Sequence, residues 1–303
     1  MQALLDAIAQ MAFPSDAQRV FHGRGGLFPG CEHLALDAFP PVLLLTSFKP
    51  LDDASLAAVG DALAARWRQI TDAPLNWVYQ CRGDAAETRL MAGAVPEPHI
   101  VTEAGARYVV HLLRGQNHGL FLDMAEGRRW VREHVKPGAK VLNLFAYTCA
   151  FSVVALQAGA AEVVNVDMAS GALATGRTNH ELNGVKAGAK FLAHDIFNSW
   201  GKLTRGGPYD LVVCDPPSFQ KGSFVATKDY ARLARRLPSL LAPGGGALLC
   251  LNAPELGLEF LRGAVEENAP ELAFIERVAN PAVFADVSPD RALKVIAYRA
   301  AAA

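Results

Sequence analysis

Three aspartates, each following a short apolar run, have the types and positions to do chemistry. Asp167 ends AEVVNVD, Asp195 ends KFLAHD, and Asp215 ends YDLVVCD and is followed by Pro216 and Pro217. In an open parallel sheet, ligands bind beyond the carboxyl ends of the strands, so a group just past an apolar run stands where a ligand arrives. A carboxylate about twenty residues beyond the first strand-to-helix loop suits the two hydroxyls of a ribose. One at the next strand tip suits an exocyclic amine, such as the N6 of an adenine. Two prolines after Asp215 fix φ and remove two backbone donors, which leaves a stiff corner with free carbonyls. Phe219 adds a flat face on which a base can stack. A single Asp after a strand is ordinarily a turn former or a helix cap. Three in succession, with Asp-Pro-Pro-Ser-Phe at 215–219, exceed what turns require. Asn252 follows the fifth apolar run and is a further candidate contact to a base edge.

These residues need a sheet to carry them. From residue 128 onward, KVLNLF, AEVVNVD, KFLAHD, YDLVVCD and ALLCLN alternate with helical patterns. That alternation, with β-branched strands, predicts a Rossmann-like doubly wound parallel sheet. AFIERVAN and LKVIAYRA follow with no helix between them, which predicts an antiparallel C-terminal strand. The first hundred residues have another texture. A helix is expected over 2–12, short strands joined by Gly and Pro turns over 18–50, and a strand at LNWVYQCR. A helix from Asp53, its expected N-cap, carries Leu56, Val59, Leu63 and Trp67 on one stripe. Residues 82–100 read as a loop and RYVVHLLRGQNHGLFLD as a hairpin. His118 is expected at the surface of its turn, and His22-Gly-Arg-Gly-Gly as a turn exposing an arginine. The fold class is therefore α/β, with a smaller N-terminal α+β domain over 1–105 and the sheet domain over 106–303.

Composition narrows the partners. Lys plus Arg (29) and Asp plus Glu (30) give a net charge of −1, which excludes a globally basic coat but not a basic patch. Lys221, Lys228, Arg232, Arg235 and Arg236 crowd beside Asp215, the last four at i, i+4, i+7 and i+8, as on one helical face. Phosphates would lie there, with Phe224 and Tyr230 interleaved; a solvated cationic face is the plain alternative. Five scattered cysteines without a CxxC read as thiols of a cytoplasmic protein. No His, Cys and Asp spacing suggests a metal, and no signal peptide or membrane span is expected.

The motifs GQNHGLFLDMAEGR (115–128), NLFAYTCAFS (143–152), VDMASGAL (166–173), NHELNG (179–184), HDIF (194–197) and DPPSF (215–219) together resemble a known family. The chain from about residue 107 is similar to class I S-adenosylmethionine-dependent methyltransferases. More narrowly, it resembles bacterial large-subunit ribosomal RNA methyltransferases that modify cytosine C5 or guanine N7. The resemblance implies S-adenosyl-L-methionine as cofactor and RNA as partner. It implies that Asn143 and the loop Phe145, Tyr147 and Thr148 pass beneath the methionine part. Asp167, with Met168, would bind the ribose, Asp195 and Ile196 would frame the adenine, and Phe121 and Asp123 would close over the cofactor, with Arg128 on the following helix near by. Asp215, Pro216 and Pro217 would face the methyl group and the target base.

Two departures matter. The family's loop reads Tyr-Thr-Gly, whereas Cys149 and Ala150 stand here, and Cys149 is read as a small packing residue. Methylation at pyrimidine C5 needs a thiolate that adds at C6. The places where family members carry that cysteine read Ser218 and Leu251-Asn252-Ala253-Pro254, while Cys214 and Cys250 fall inside apolar strands. A base nitrogen, attacking with its own lone pair, is therefore the expected acceptor. Other readings are a methyltransferase acting on a small molecule or protein, and an inactive RNA-binding relative. A dinucleotide-dependent oxidoreductase would need Gly-x-Gly-x-x-Gly after the first strand, and NLFAYTCAF contains no glycine.

Overall fold

The computed structural model describes residues 1–83, 86–217, 219–220 and 224–302, with the side chains of 219 and 220 left out. Two compact units divide the chain: Met1–Asp123 with Pro281–Pro289, and Met124–Asn280 with Asp290–Ala303.

The first unit opens with helix α1 (Gln2–Gln10) and strands β1 (Gln18–His22), β2 (Leu34–Phe39) and β3 (Val42–Ser47). Helix α2 (Asp53–Ile70) crosses over to β4 (Asn76–Cys81), which is parallel to β3, and β5 (Glu87–Ala92) completes a five-stranded sheet in sequential order. Leu56, Val59, Leu63 and Trp67 face inward on α2, as their spacing requires. They pack with Leu4 and Ile8 of α1 and Leu34, Leu36, Leu43 and Leu45 of the sheet. Each such side chain contributes about 1.5–3 kcal/mol through burial. Asp52, rather than Asp53, caps α2: its Oδ1 accepts from Ser55 N–H at 2.6 Å.

Two other expectations are corrected here. The stretch read as a loop contains β5, an edge strand whose half-exposed ETRLMA lacks a buried run. The hairpin is β6 (His99–Glu103) with β7 (Ala106–Val110), joined by Ala104 and Gly105, both at positive φ (+47° and +82°). Paired left-handed residues match the twist of a two-residue turn. The Asp16 carboxylate accepts from Ala104 N–H (2.9 Å) and so holds the less willing of the two. After β7, Leu122–Met124 form a 3-10 turn instead of a returning strand.

The second unit begins with α3 (Ala125–His134). It continues β8 (Lys140–Leu144), α4 (Ala150–Gln157), β9 (Glu162–Asp167), α5 (Ser170–Leu182), β10 (Ala189–Ala193), α6 (Trp200–Gly206) and β11 (Tyr209–Cys214). Next come a small antiparallel pair, β12 (Phe219–Gln220) with β13 (Phe224–Val225), then α7 (Ala226–Ala234), α8 (Leu237–Leu240) and β14 (Leu241–Leu251). Helix α9 (Leu258–Asn268) leads to β15 (Ala273–Val278) and β16 (Lys294–Arg299). The sheet order is β10-β9-β8-β11-β14-β16-β15, with β16 antiparallel to both neighbours. The Pro-Gly-Gly-Gly segment read as a turn lies within β14, where the register with β11 shifts.

Alternation along the strands assigns the two faces. Leu142, Leu144, Val164, Val166, Val212 and Leu249 pack with Leu203, Tyr230, Leu233, Leu237 and Leu261 from α6 to α9. Asn143 and Asn165 point the other way: Asn143 bonds to Asn165, which in turn bonds to Ser152 on α4. The order of connection reverses between β8 and β11, which is the switch point where an open sheet leaves a crevice.

Candidate active site

The carboxyl rim of the sheet gathers the expected acids in order. Leu144 pairs with Val166 and Cys214, and Asp167 pairs with Ala193, so Phe145, Asp167, Asp195 and Asp215 all follow one line of strand ends. Asn252, exposed, follows the end of β14.

The loop from Phe145 to Cys149 is built on three alternate left-handed residues: Phe145 (φ +57°), Tyr147 (+46°) and Cys149 (+62°). Each costs roughly 1–2 kcal/mol for an L-residue, so the loop persists only because its surroundings hold it. Ala146 N–H donates to Val166 O (3.1 Å), Cys149 N–H to Ala146 O (2.7 Å), and Asn179 Nδ2 to Thr148 O (3.0 Å). The residue found here in place of a loop glycine keeps the glycine-like φ, and the space is provided elsewhere. A Cβ on Gly176 of α5 would stand 2.6 Å from Cys149 Sγ. Cys149 is fully buried, as its packing role requires, and burial pushes its thiol pKa up.

Asp167 holds this loop as well as facing the rim. Its Oδ2 accepts from Tyr147 N–H and its Oδ1 from Ala169 N–H, both at 2.8 Å. A carboxylate has about four acceptor positions, so two remain for hydroxyls. Asp195 is similar: Oδ1 accepts from Phe197 N–H (2.8 Å) and Oδ2 from Asn198 Nδ2 (2.6 Å). Ile196 beside it is buried, and Met168 is 51% exposed. Asp215 and Pro217 are half-buried, and Pro216 is buried. Tyr230 is buried close by; its hydroxyl donates to Cys250 O, and burial, with Cys214, Cys250 and Asp215 near, raises its pKa. The Phe219 side chain and Lys221 lie outside the described residues.

Several expected residues take other positions. Asn143 is buried, and its Nδ2 donates to Asn165 Oδ1 (2.9 Å), the start of a chain running to Ser152 Oγ (3.0 Å) and His180 Nε2 (2.8 Å). His180 Nδ1 bonds Gly176 O at 2.6 Å, so this network braces the helix that receives Cys149. Polar residues at core positions were its only sequence signal. Phe121 and Asp123 belong to the first unit; Phe121 is 42% exposed. Arg128 is buried on α3 in the second. His118, expected at a surface, is buried.

The cationic stripe is also rearranged. Helix α7 stops at Ala234, so Arg235 is its C-cap and Arg236 precedes α8; the four cations do not share one helix face. Arg232 pairs with Asp229 (2.7 Å) and stacks over Phe197 at 4.1 Å, Arg235 donates to Asn268 Oδ1 (2.7 Å), and Arg236 lies 5.9 Å from the Trp200 ring. Lys228 is exposed. Phe224 and Tyr230 are core residues, each 1% exposed, so the rings beside the cations are Phe197 and Trp200. Lys294 had no anticipated role. It is fully buried on β16, and its Nζ donates to Ala253 O (2.7 Å) and Asp290 O (2.9 Å), which ties down the segment after Asn252.

A doubly wound sheet with acids at successive strand ends defines a nucleoside-binding class of α/β enzyme. Within that class, the family model for S-adenosylmethionine-dependent methyltransferases matches residues 18–299, and the chain belongs to this family, whose cofactor is S-adenosylmethionine. It is similar to a ribosomal RNA large subunit methyltransferase I of Aeromonas salmonicida, 35% identical over 52% of this chain and 41% of that one. The same-named protein of Erwinia tasmaniensis is 30% identical over 86% of this chain and 68% of that one. The chain thus spans about half the length of several curated relatives it matches. Among solved structures, SMU.776, assigned as a methyltransferase and complexed with SAH, aligns with TM-score 0.83 at 25% identity, over 98% of this chain and 81% of that one. The M. jannaschii tRNA m1G37 methyltransferase shares the fold (TM-score 0.62, 14% identity, 88% and 72% covered).

Proposed function

We propose that this protein methylates a base nitrogen in ribosomal RNA, with S-adenosylmethionine as methyl donor. The residues of the rim suit such a cofactor: Asp167 keeps acceptor capacity for two hydroxyls, and Asp195 stands beside buried Ile196 as an adenine frame would. When bound, S-adenosylmethionine supplies an electrophilic methyl group on a sulfonium. Asn143 contributes by bracing the loop, Phe145, Tyr147 and Thr148 by forming its floor, and Met168 by covering the ribose side. The roles of Phe121, Asp123 and Arg128 rest on the family resemblance alone.

The choice of nitrogen rests on one observation: Cys149 in the rim loop, and Cys214 and Cys250 in the strands below it, are all 0% exposed. Burial and the adjacent Asp215 push the Cys214 thiol well above its usual range. A thiolate there would be strongly disfavoured, so addition to C6 of a pyrimidine lacks its nucleophile. Transfer to a nitrogen asks for alignment and for stabilisation of developing positive charge. The Asp215 carboxylate and the stiff Pro216-Pro217 corner supply both, Asn252 orients the base edge, and Phe219 stacks on it. Lys228, Arg232, Arg235 and Arg236, with Phe197 beside Arg232 and Trp200 beside Arg236, serve the RNA strand, and Lys221 is assigned to it from its place in the sequence alone. A small-molecule acceptor would not call on these cations.

The test is nucleoside mass spectrometry of large-subunit rRNA from a strain lacking the gene. One N-methylated nucleoside should disappear and return on complementation with the wild type or with Cys250→Ala. An unchanged modification profile removes the rRNA assignment, and a lost C5-methylpyrimidine removes the nitrogen.

A further inference from the structure

The first unit holds a cationic cluster that the reaction does not use. Its centre is Arg24, presented by the Gly23–Gly25 turn. A Cβ on Gly23 would stand 1.8 Å from Cys31 O, and one on Gly25 2.0 Å from Ala285 O, so both flanking positions admit only glycine. Val287 N–H donates to Gly25 O at 2.8 Å, and Gly26 closes the turn at φ +76°. The backbone beneath Arg24 is therefore clamped on both sides. Its guanidinium lies 3.8 Å from the centre of the Phe48 ring, and that of Arg82 lies 5.7 Å from the same ring.

A third cation, Arg19, takes the nearby carboxylate. Arg19 Nε and Nη2 donate to Asp37 Oδ1 and Oδ2 (2.6 and 3.0 Å), and Nη1 bonds His22 Nδ1 (2.7 Å). Arg82 instead donates to neutral groups: Nε to Gln80 Oε1 (3.0 Å) and Nη2 to His118 Nε2 (3.2 Å). His118 Nδ1 bonds His111 O at 2.9 Å, so the proton sits on Nδ1 and Nε2 is the acceptor. Among the described residues, no carboxylate pairs with Arg24. Burial and then the Arg19 charge lower the Arg24 pKa, and burial with Arg24 and Arg19 lowers that of Arg82 against the pull of Asp37. Burial, Arg19 and Arg24 together push His22 down to about 4. Guanidiniums gathered this closely repel one another, and such a cost persists where an anion offsets it.

We propose that Arg24 and Arg82 form a phosphodiester site that takes a backbone phosphate of the RNA substrate beside the Phe48 ring. The site rests on the reading that the substrate is RNA, and adds to it a contact made by the first unit. A planar guanidinium matches phosphate oxygens bidentately, and two of them lie close to one ring here. Arg24 lies over Phe48, which is 37% exposed, so the ring holds the guanidinium at the surface where a strand's backbone can reach it. Phosphate contacts position a substrate and carry no sequence information, so the site would contribute affinity and register.

The experiment measures binding of a large-subunit rRNA transcript to the full chain as a function of salt. Arg24→Gln should weaken binding about tenfold and lower the slope of log K against log salt by roughly one, while Arg24→Lys should keep the slope. Arg82→Gln should act in the same direction. Binding of S-adenosylhomocysteine and the thermal midpoint should stay unchanged in all three variants, which separates a lost contact from a lost fold. Unchanged RNA affinity and slope in Arg24→Gln and Arg82→Gln would overturn this proposal alone. A wild-type protein that binds no RNA would overturn it together with the functional reading beneath it. Competition by poly-glutamate as effective as by the transcript, with the same dependence on Arg24, would overturn the polynucleotide assignment.

Discussion

Asp167 does two things with one carboxylate. It accepts from Tyr147 and Ala169 N–H, which fixes the left-handed loop, and it keeps lone pairs toward the rim. Removing it should therefore cost both a ligand contact and the loop that supports the ligand. Hydrogen bonds to a charged group are worth about 1.5–3 kcal/mol each, so Asp167→Ala should weaken S-adenosylhomocysteine binding at least a hundredfold by calorimetry. Asp167→Asn, which keeps an acceptor, should lose less. Equal affinities for wild type and Asp167→Ala would mean that the nucleoside sits elsewhere. Asp167, Asp195 and Asp215 were legible in the sequence because a strand's end is a local event. The inward turn of Asn143 was not, because its partner Asn165 belongs to the neighbouring strand and Ser152 to the helix above it.

At the scale of elements, the loop after β8 and helix α5 have to be considered as a pair. The loop lacks a glycine, and the glycine that makes room for it sits on the helix facing it, Gly176. Gly176→Ala should destabilise the second unit by about 1–3 kcal/mol, since the new methyl meets Cys149 Sγ and neither side can retreat. Urea unfolding checks this, and adding Cys149→Gly should restore most of the loss, because it removes the clash and suits the left-handed backbone. A double variant no more stable than Gly176→Ala would refute the coupling. Periodicity located α2 and its buried stripe, since 3.6-residue spacing is a property of the helix itself. The β6–β7 hairpin escaped because an Ala-Gly turn is a weak signal beside the glycine-bearing loop that follows it. The break between α7 and α8 escaped because Arg235 and Arg236 continue a helical spacing that the chain abandons.

At the scale of the whole molecule, histidine burial sets a dependence on acidity. His22, His33, His99, His111, His118 and His180 all have lowered pKa values, with burial as the largest cause in each. The unfolded chain takes up these protons near pH 6.5, the folded protein only lower, for His22 at about 4. Between those limits the unfolded state holds more protons, so stability rises with pH and is lost as pH falls from about 6.5 toward 4. The urea midpoint should be lower at about pH 5 than at about pH 7.5, at similar slope. Equal midpoints would show that these imidazoles protonate without unfolding.

The sequence alone determined the alternation of strand and helix, the second unit's doubly wound sheet and the strand ends that carry acids, because each follows from hydrophobic period and chain order. Only the tertiary structure decided which polar groups meet. Arg19 and Arg24 come from β1 and the turn that follows it, but Arg82 and Phe48 come from two other segments of the first unit. Arg232 finds Asp229 one turn away but Phe197 across the fold. Such partnerships depend on distances between elements, which the period of any single element does not encode.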